Sequence, residues 1–146
     1  MFNCVGHSPA WPLIPYALAE LRDAGLDHQP FVPPVWNDAV MLALGPAGDC
    51  RGFIAYRVDE MRSGWFIMLS YVPEDFRRQG IHTALFEALV ARAKAKGDIL
   101  RIESGTHVDN IAAQRAFERQ GRHAVAIHYT YNVKHWLDGK EPTDVS

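Results

Sequence analysis

A strand, a basic turn with a single glycine and a helix follow one another in residues 71–84, which read Y-V-P-E-D-F-R-R-Q-G-I-H-T-A. The apolar run 65–72 is typical of a strand, and apolar residues then recur at helical spacing as far as Gly97. The backbone must therefore turn sharply at this junction. No other part of the sequence constrains the fold as strongly.

The turn has the features of an anion site. The first amides of the helix, near residues 79–83, have no intrahelical partner and lie at the positive end of the helix dipole. Gly80 lets the backbone approach a phosphate closely, and Arg77 and Arg78 add positive charge. The glycine patterns of Walker loops and of dinucleotide sites are both absent. We expect a pyrophosphate-binding turn, and an ordinary charged loop is the alternative.

A second pattern lies downstream. Asn110, Ala113, Phe117 and Gly121 recur at helical spacing, with Asn110 suited to the N-cap and Gly121 to the C-terminal stop. Together with the turn, this pattern resembles the GNAT superfamily of acyl-CoA-dependent N-acyltransferases. The resemblance covers roughly residues 40–133 and rests on two motifs in the right order.

Both family motifs match in register. Arg77, Gly80 and the position of His82 match [QR]-x-x-G-x-[GA] at the strand-to-helix junction. The helix from Asn110 matches N-x-x-A-x-x-x-[YF]-x-x-x-G. His82 departs from the small residue expected there, and its side chain either donates to phosphate or narrows the site. Phe117 stands where the family often has a tyrosine.

Hydrophobic periodicity and turn residues predict the order of the elements in a single domain, residues 1–146. A short strand at 2–5 comes first, followed by a helix that contains Ile14 and Leu21 and ends at Gly25. The later predictions are strands at 39–44, 53–59 and 65–72, a helix at 80–96, a strand at 99–103, a helix at 110–120 and a strand at 123–133.

The three central strands form an antiparallel meander in this interpretation, and the helical crossover predicts parallel pairing of the next strand. The resemblance implies a GNAT-like α/β fold with a mixed, mostly antiparallel central sheet and helices on both faces. The family commonly ends in two further strands, and only one is found here. Either the sheet is truncated, or a second subunit completes its edge in a homodimer.

Composition limits the function classes. The chain has 146 residues and a net charge of −2, so a broad nucleic-acid footprint is not expected. No apolar run reaches the length of a membrane helix and the N-terminus lacks the order of a signal peptide, so we expect a soluble, cytoplasmic protein. Cys4 and Cys50 are interpreted as reduced thiols. The histidines show no metal-ligand spacing, so no metal is expected.

The resemblance implies acetyl-CoA as a co-substrate. In the family, the pantetheine arm lies between the strand before the turn and the next parallel strand, and backbone groups bind it. Carried over by position, the cofactor-binding residues are Ser70, Tyr71, Val72, Arg77, Arg78, Gln79, Gly80, Ile81, His82, Thr83, Asn110 and Phe117.

Acyl transfer from a thioester to an amine needs a base for the amine, a donor to the oxyanion and a proton for the leaving thiolate. Glu103 is the first choice for the base because it lies in the strand that borders the cleft, and His107 and Asp109 are held in reserve. A backbone N–H of Tyr71 or Val72 suits the oxyanion.

The source of the proton is less evident. Phe117 has no proton to give, so Tyr129 and Tyr131 are the candidate acids. Other acids, water, or departure of the thiolate without help are the alternatives.

The loop at 26–36 is rich in proline and contains Phe31 and Trp36. Prolines exclude regular structure, and apolar side chains in a loop either pack over the sheet or line a site. We predict that both aromatic residues border the acceptor pocket, with simple packing as the alternative.

The sequence therefore predicts an N-acetyltransferase that transfers an acetyl group from acetyl-CoA to a primary amine, on a small molecule or a protein, by direct attack on the thioester. The alternative is a catalytically silent acyl-CoA-binding or protein-interaction domain, which Phe117, His82 and the shortened sheet favour. A nucleotide-phosphate site unrelated to CoA is disfavoured because the P-loop pattern is absent.

Overall fold

The computed structural model describes residues 2–27, 32–131 and 133. Its main elements, numbered in chain order, are the helices α1 (Ile14–Asp23), α2 (Ile81–Lys96) and α3 (Ile111–Arg119) and the strands β1 (Ala39–Leu44), β2 (Cys50–Asp59), β3 (Gly64–Tyr71) and β4 (Arg101–Ser104). Each of them overlaps the position predicted from the sequence.

The four strands form one sheet in the order β1-β2-β3-β4. The first three pair antiparallel as a meander, and β4 pairs parallel with β3 after the crossover through α2. Parallel neighbours need such a crossover, whereas short turns connect antiparallel ones. The predicted mixed, mostly antiparallel sheet is confirmed.

Helices cover both faces of this sheet. On one face, Leu89 of α2 is fully buried against the strands, in a cluster that includes Ile54. On the other face, Ala17 of α1 and Val5 pack in a cluster with Phe53. Phe53 and Ile54 are neighbours in β2 but belong to opposite clusters, because successive side chains of a strand alternate between its faces.

Among the helices of the described residues, none combines the length and apolar character that a membrane crossing requires.

The predicted strand at residues 2–5 is wrong. The segment leads instead into a single 3₁₀ turn, Val5–His7. The N–H groups of Val5 and Gly6 donate to the carbonyls of Asp38 and Trp36, at 2.7 and 2.9 Å. These separate bonds tie the segment to the chain before β1, and no strand ladder is needed to satisfy its backbone.

The predicted half-buried strand at 123–133 is also wrong for the residues described there, which are 123–131 and 133. They form no strand and do not join the sheet. The alternating apolar side chains are between 72% and 85% exposed, namely Val125, Ile127, Tyr129, Tyr131 and Val133. Alternation gives a segment the side chains of a strand, but a strand also needs a neighbouring edge to receive its backbone hydrogen bonds.

A buried carboxylate ties the chain before β1 to the sheet. Asp38 is 5% exposed, and it accepts hydrogen bonds from Arg57 Nε at 2.8 Å and Arg57 Nη2 at 2.9 Å. Its Oδ2 also accepts from the Val35 N–H at 2.8 Å. The hydrogen bond that Arg57 donates to Asp38 raises the pKa of Arg57. Two-pronged pairing of this kind fixes both position and orientation, so the Val35 to Asp38 turn is held over β2.

Replacement of Asp38 by alanine should lower the free energy of unfolding by roughly 3 kcal/mol, because Arg57 and the Val35 amide lose a shared, buried partner. Urea unfolding followed by circular dichroism measures the loss. Asp49→Ala removes the exposed ion pair with Arg51 and is the matched control, which should change stability little. Equal losses in the two variants would contradict the anchoring role.

Candidate active site

β3 and β4 separate at a bulge. The ladder between them ends at the pair Ile67 and Ser104, whereas β3 continues to Tyr71. Successive residues of β2 pair with Leu69 and Ile67, so Met68 is an extra residue in β3. A bulge bends the strand that carries it. β3 therefore bends where β4 ends, and a gap opens beside residues 68–71.

The gap exposes a backbone edge of β3. Ser70 and Tyr71 pair with β2 on one side, and no strand of the described chain pairs with them on the other. Ser70 is the partner of Ile54, whose side chain lies in the α2 layer. Tyr71 packs in the α1 layer, with its ring centroid 6.1 Å from that of Phe53. This edge therefore presents backbone N–H and C=O groups, rather than side chains, to the gap.

The predicted anion turn follows directly. Gly80 is the N-cap of α2 with φ 77°, and no side chain caps the helix. The first intrahelical hydrogen bond, from the Ala84 N–H to the Gly80 carbonyl, is 3.0 Å long. The amides of residues 81–83 precede it and have no helical acceptor. They form the positive end of the α2 dipole next to the gap.

Arg78 has a strained backbone and an uncommitted charge. Its φ of 64° is left-handed, which costs a non-glycine residue roughly 1–2 kcal/mol. Its guanidinium forms no ion pair with any described residue. Strained backbone is concentrated at binding sites. Arg78 is therefore the stronger of the two turn arginines as a candidate anion ligand.

Arg77, in contrast, is engaged within the protein. Its Nε donates to the Val72 carbonyl at 2.8 Å, and its Nη2 lies 2.6 Å from Glu20 Oε1 on α1. Burial raises the pKa of Tyr71, and its hydrogen bond to Glu20 raises it further. Arg77, Glu20 and Tyr71 thus fasten the turn to α1. A contact of Arg77 with phosphate stays a prediction.

The His82 ring packs against α3. Its Nδ1 lies 3.1 Å from Gln120 Nε2, and it stacks on Phe117 with the ring centroids 6.4 Å apart. Burial lowers the pKa of His82, and the charge of Arg122 lowers it further. The neutral ring therefore joins the two motif helices. Its donation to phosphate stays a prediction.

Asn110 and Phe117 have roles within the fold. Asn110 Oδ1 accepts from the Ala113 N–H at 3.1 Å and caps α3, as predicted. Phe117 contacts His82, and the Arg122 guanidinium lies 3.8 Å from its ring centroid. Capping and packing account for both residues, and their contact with a cofactor stays a prediction. Gln79, Ile81 and Thr83 lie in the turn and first helical residues, where they were expected.

Glu103 belongs to a row of side chains that crosses three strands. Arg57 of β2 pairs with Phe66 of β3, and Phe66 pairs with Glu103 of β4. Paired residues face the same side of a sheet. Ile102, next to Glu103, packs in the α2 layer, so Glu103 faces away from α2. Its side chain is 33% exposed, and Oε1 lies 3.4 Å from Arg101 Nη1.

An open pocket of about 660 Å³ lies beside this row. Phe66, Met68 and Val32 contribute apolar surface, and Asp59 and Glu60 contribute carboxylates. These residues could not be recognised as a site from the sequence. They share no motif, and the bulge and the turn between β2 and β3 bring them together.

The prediction that both aromatic residues of the loop border the acceptor pocket has a different outcome for each residue. Phe31 lies outside the described residues. Trp36 packs edge-on against His7 and Trp11, with both centroid distances 5.2 Å. The packing alternative therefore describes Trp36. Val32 is the described residue of this loop that lines the pocket.

The other catalytic candidates lie outside the four-stranded sheet. Tyr129 and Tyr131 are 85% and 78% exposed, on the segment that does not join the sheet. His107 Nδ1 accepts from the Asp109 N–H at 3.0 Å, within a local turn after β4. Of the predicted catalytic residues, Glu103 is the one that lies in the sheet.

Gly80→Ala should lower the free energy of unfolding by about 1 kcal/mol, because an alanine is strained at this φ. Beyond the two neighbouring residues, no described atom lies within 4 Å of the place its Cβ would take, so the cost is conformational alone. Gly80→Asn is the matched control, since asparagine tolerates the left-handed region, and it should lose less. Equal losses by chemical denaturation would contradict this turn geometry.

Comparison with solved structures finds the same fold in several proteins. The aminoglycoside N-acetyltransferase AAC(6′)-Iy in complex with CoA is 21% identical, with a TM-score of 0.58 over 84% of this chain and 89% of that one. A mutant of the Bacillus halodurans protein BH1408 is 15% identical, with a TM-score of 0.63 over 86% and 95%.

A third structure is a protein of Bacillus anthracis Ames, provisionally a streptothricin acetyltransferase, in complex with acetyl coenzyme A. It is 23% identical, with a TM-score of 0.50 over 57% of this chain and 46% of that one. At such identities, the likeness shows the fold alone.

No curated protein sequence matches this one. The model of the acetyltransferase (GNAT) family matches residues 7–121. The match runs from the segment before α1 to the end of the second motif helix, and it includes the gap, the anion turn and β4. The chain therefore belongs to the acetyltransferase (GNAT) family.

Proposed function

We propose that this protein transfers an acetyl group from acetyl-CoA to a primary amine of a small molecule or a protein. The observation that carries the proposal is the gap between β3 and β4, which opens directly beside an unsatisfied helix N-terminus. One ligand that has a linear amide-bearing arm and a pyrophosphate matches both features. The complexes of similar folds with CoA and with acetyl coenzyme A support this choice.

The donor would be held mainly by backbone. The amides of residues 81–83 and the Arg78 guanidinium are offered to the pyrophosphate, and the free edge of residues 68–71 to the amides of the pantetheine arm. The side chains of Arg77 and His82 would position the turn through Glu20 and Phe117. Most of these contacts would be hydrogen bonds to backbone groups, so the site would depend little on the identity of its side chains.

The transfer itself is a direct displacement. The amine nitrogen attacks the thioester carbonyl carbon, the C–S bond breaks, and CoA leaves as a thiolate that takes up a proton. Glu103 would accept the amine proton, directly or through water, and a backbone N–H of Tyr71 or Val72 would donate to the oxyanion. Tyr129 and Tyr131 remain the candidate acids.

The acceptor would enter from the opposite side of the sheet. The pocket beside Phe66 is lined by Asp59 and Glu60. Asp59 Oδ2 lies 3.7 Å from Arg62 Nε, and the pocket's own cation, Arg57, is neutralised by Asp38. Glu60 forms no ion pair among the described residues, and this carboxylate beside an apolar floor favours an amine with an apolar body, which arrives as an ammonium ion. Phe66 also places this pocket next to Glu103, the proposed base.

A silent acyl-CoA-binding domain is the second candidate. The exposed Tyr129 and Tyr131 and the missing hydroxyl at Phe117 favour it, because neither tyrosine lies in the sheet and Phe117 has no proton to give. Binding without turnover against a broad amine panel would support this candidate. A cytoplasmic location stays a prediction in either case.

Glu103→Gln should lower kcat roughly 10²-fold or more, because it removes the base while keeping the size of the side chain. Release of the CoA thiol from acetyl-CoA, in the presence of an amine panel, measures turnover. The affinity for CoA should stay within about twofold of the wild type, since the donor is held by backbone groups.

Glu118→Gln removes an exposed carboxylate of α3 and is the control for charge. It should leave both quantities unchanged. If Glu103→Gln turns over as fast as Glu118→Gln, Glu103 is not the base. Loss of CoA binding in Glu103→Gln would instead place this side chain in the donor site.

We also propose that a second copy of the chain completes the sheet. The segment 123–133 has the alternation of a strand, and the outer edge of β4 has no partner in the described chain. Leu100, Val108 and Ile111 near that edge are 76%, 76% and 49% exposed. A strand from a second subunit would cover the edge and bring its tyrosines toward Glu103.

Ile127→Lys should convert this dimer to a monomer, because a charge would then lie in the paired strand. Light scattering after size-exclusion chromatography measures the mass. Met61→Lys adds the same charge at a side chain that is 98% exposed on the turn between β2 and β3, and it should remain a dimer. A wild type that is monomeric at all concentrations would contradict the pairing.

A further inference from the structure

Arg122 places a positive charge between the two motif helices. The left-handed Gly121, with φ 83°, ends the helical segment and turns the chain back, so that the Arg122 N–H donates to the Phe117 carbonyl at 3.0 Å. The guanidinium then lies 3.8 Å from the ring centroid of Phe117 and 4.6 Å from that of Phe86. The turn at the end of α3 thus places the Arg122 guanidinium beside the rings of Phe86 and Phe117.

Among the described residues, the hydrogen-bond partners of the Arg122 side chain are neutral. Nη1 donates to Gln120 Oε1 at 3.2 Å, and Nη2 donates to the Ser104 hydroxyl. No carboxylate of the described residues forms an ion pair with Arg122. Burial lowers the pKa of the guanidinium to about 10, so it is charged at neutral pH. A half-buried charge without a counter-ion is unfavourable for the fold.

The fold alone does not account for an arginine here. A methionine would fill the space between Phe86 and Phe117 without desolvation of a charge. Cation–π contacts recover only about 0.5–2 kcal/mol. A guanidinium at such a place, without a counter-ion among the described residues, is suited to a ligand that brings an anion.

The position of Arg122 indicates which ligand. Ser104 is the last residue of β4, where the ladder ends and the gap begins. Gln120, which Arg122 contacts, also contacts His82 in the first turn of α2. Arg122 therefore lies between the gap and the anion turn, on the side of the sheet that carries α2. The row with Glu103 and the pocket for the acceptor are on the other side.

We propose that Arg122 recognises an anionic oxygen group of the acyl donor. This inference rests on the proposed acyl-CoA site and adds a specificity residue to it. Two parts of a donor carry such a group: a terminal carboxylate on the acyl chain, as in succinyl-CoA, and a phosphate of CoA itself. Both would give the guanidinium the charged, two-pronged partner that it lacks.

Calorimetric titration with acetyl-CoA and with succinyl-CoA tests the proposal and separates the two sources. Arg122→Met should lose at least about tenfold in affinity for one donor or both. Loss confined to succinyl-CoA assigns the acyl carboxylate, and equal loss for both donors assigns a CoA phosphate. Arg119→Met removes an exposed arginine of the same helix and is the matched control, which should change neither affinity by more than about twofold.

Thermal unfolding of the same variants provides a second readout. If Arg122 serves a ligand, Arg122→Met should melt no lower than the wild type without donor, and donor should stabilise it less. Arg122→Lys, which keeps the charge but not the planar fork, covers the case of a methionine variant that does not fold, and it should also lose affinity.

Affinities for both donors within twofold of the wild type in the Met and Lys variants would overturn the role of Arg122 and leave the acyl-CoA site intact. Absence of binding of either donor to the wild type would overturn the proposed function as well. The two failures are therefore distinguishable.

Discussion

The bulge at Met68 is the constraint on which the rest of the structure depends. An extra residue in one strand cannot keep register with neighbours on both sides, so β3 stays paired with β2 and leaves β4 after Ile67 and Ser104. The separation leaves the end of β3 without a partner strand on the β4 side among the described residues. It also places that edge beside the N-terminus of α2, because α2 is the crossover that connects the two strands.

Successive side chains of a strand alternate between the two faces of the sheet. This alternation builds two apolar layers, and it also gives the candidate site two sides. Ser104 and Arg122 lie on the α2 side with the anion turn, whereas Glu103 and the pocket beside Phe66 face away from α2. In the proposed function, β4 would separate the side with Arg122 and the anion turn, which takes the polyanionic donor, from the side with Glu103 and the pocket, which takes the amine. Direct transfer requires the two substrates to meet at one point, and the gap is the opening in the sheet where they can do so.

Local patterns could be predicted from the sequence, and features that depend on several strands at once could not. The turn at Gly80, the cap at Asn110 and the parallel partner of β3 each follow from a short stretch of sequence or from the crossover length. The bulge at Met68 could not be read from β3 alone, because it is a mismatch of register against β2. For the same reason the pocket was missed.

Residues 123–133 show the opposite case, in which a clear local pattern gave a wrong prediction. The alternation in residues 123–133 predicted a strand, but alternation does not tell whether an edge is available to pair with it. Arg122 had no signal either, since its proposed role depends on the turn at Gly121 and on two rings from different helices.

The most direct test of the proposed donor site is amide chemical-shift mapping by NMR during titration with CoA. The account predicts that the largest shifts fall on residues 69–72 and 80–83; shifts confined to other regions, or none at saturating CoA, would contradict it.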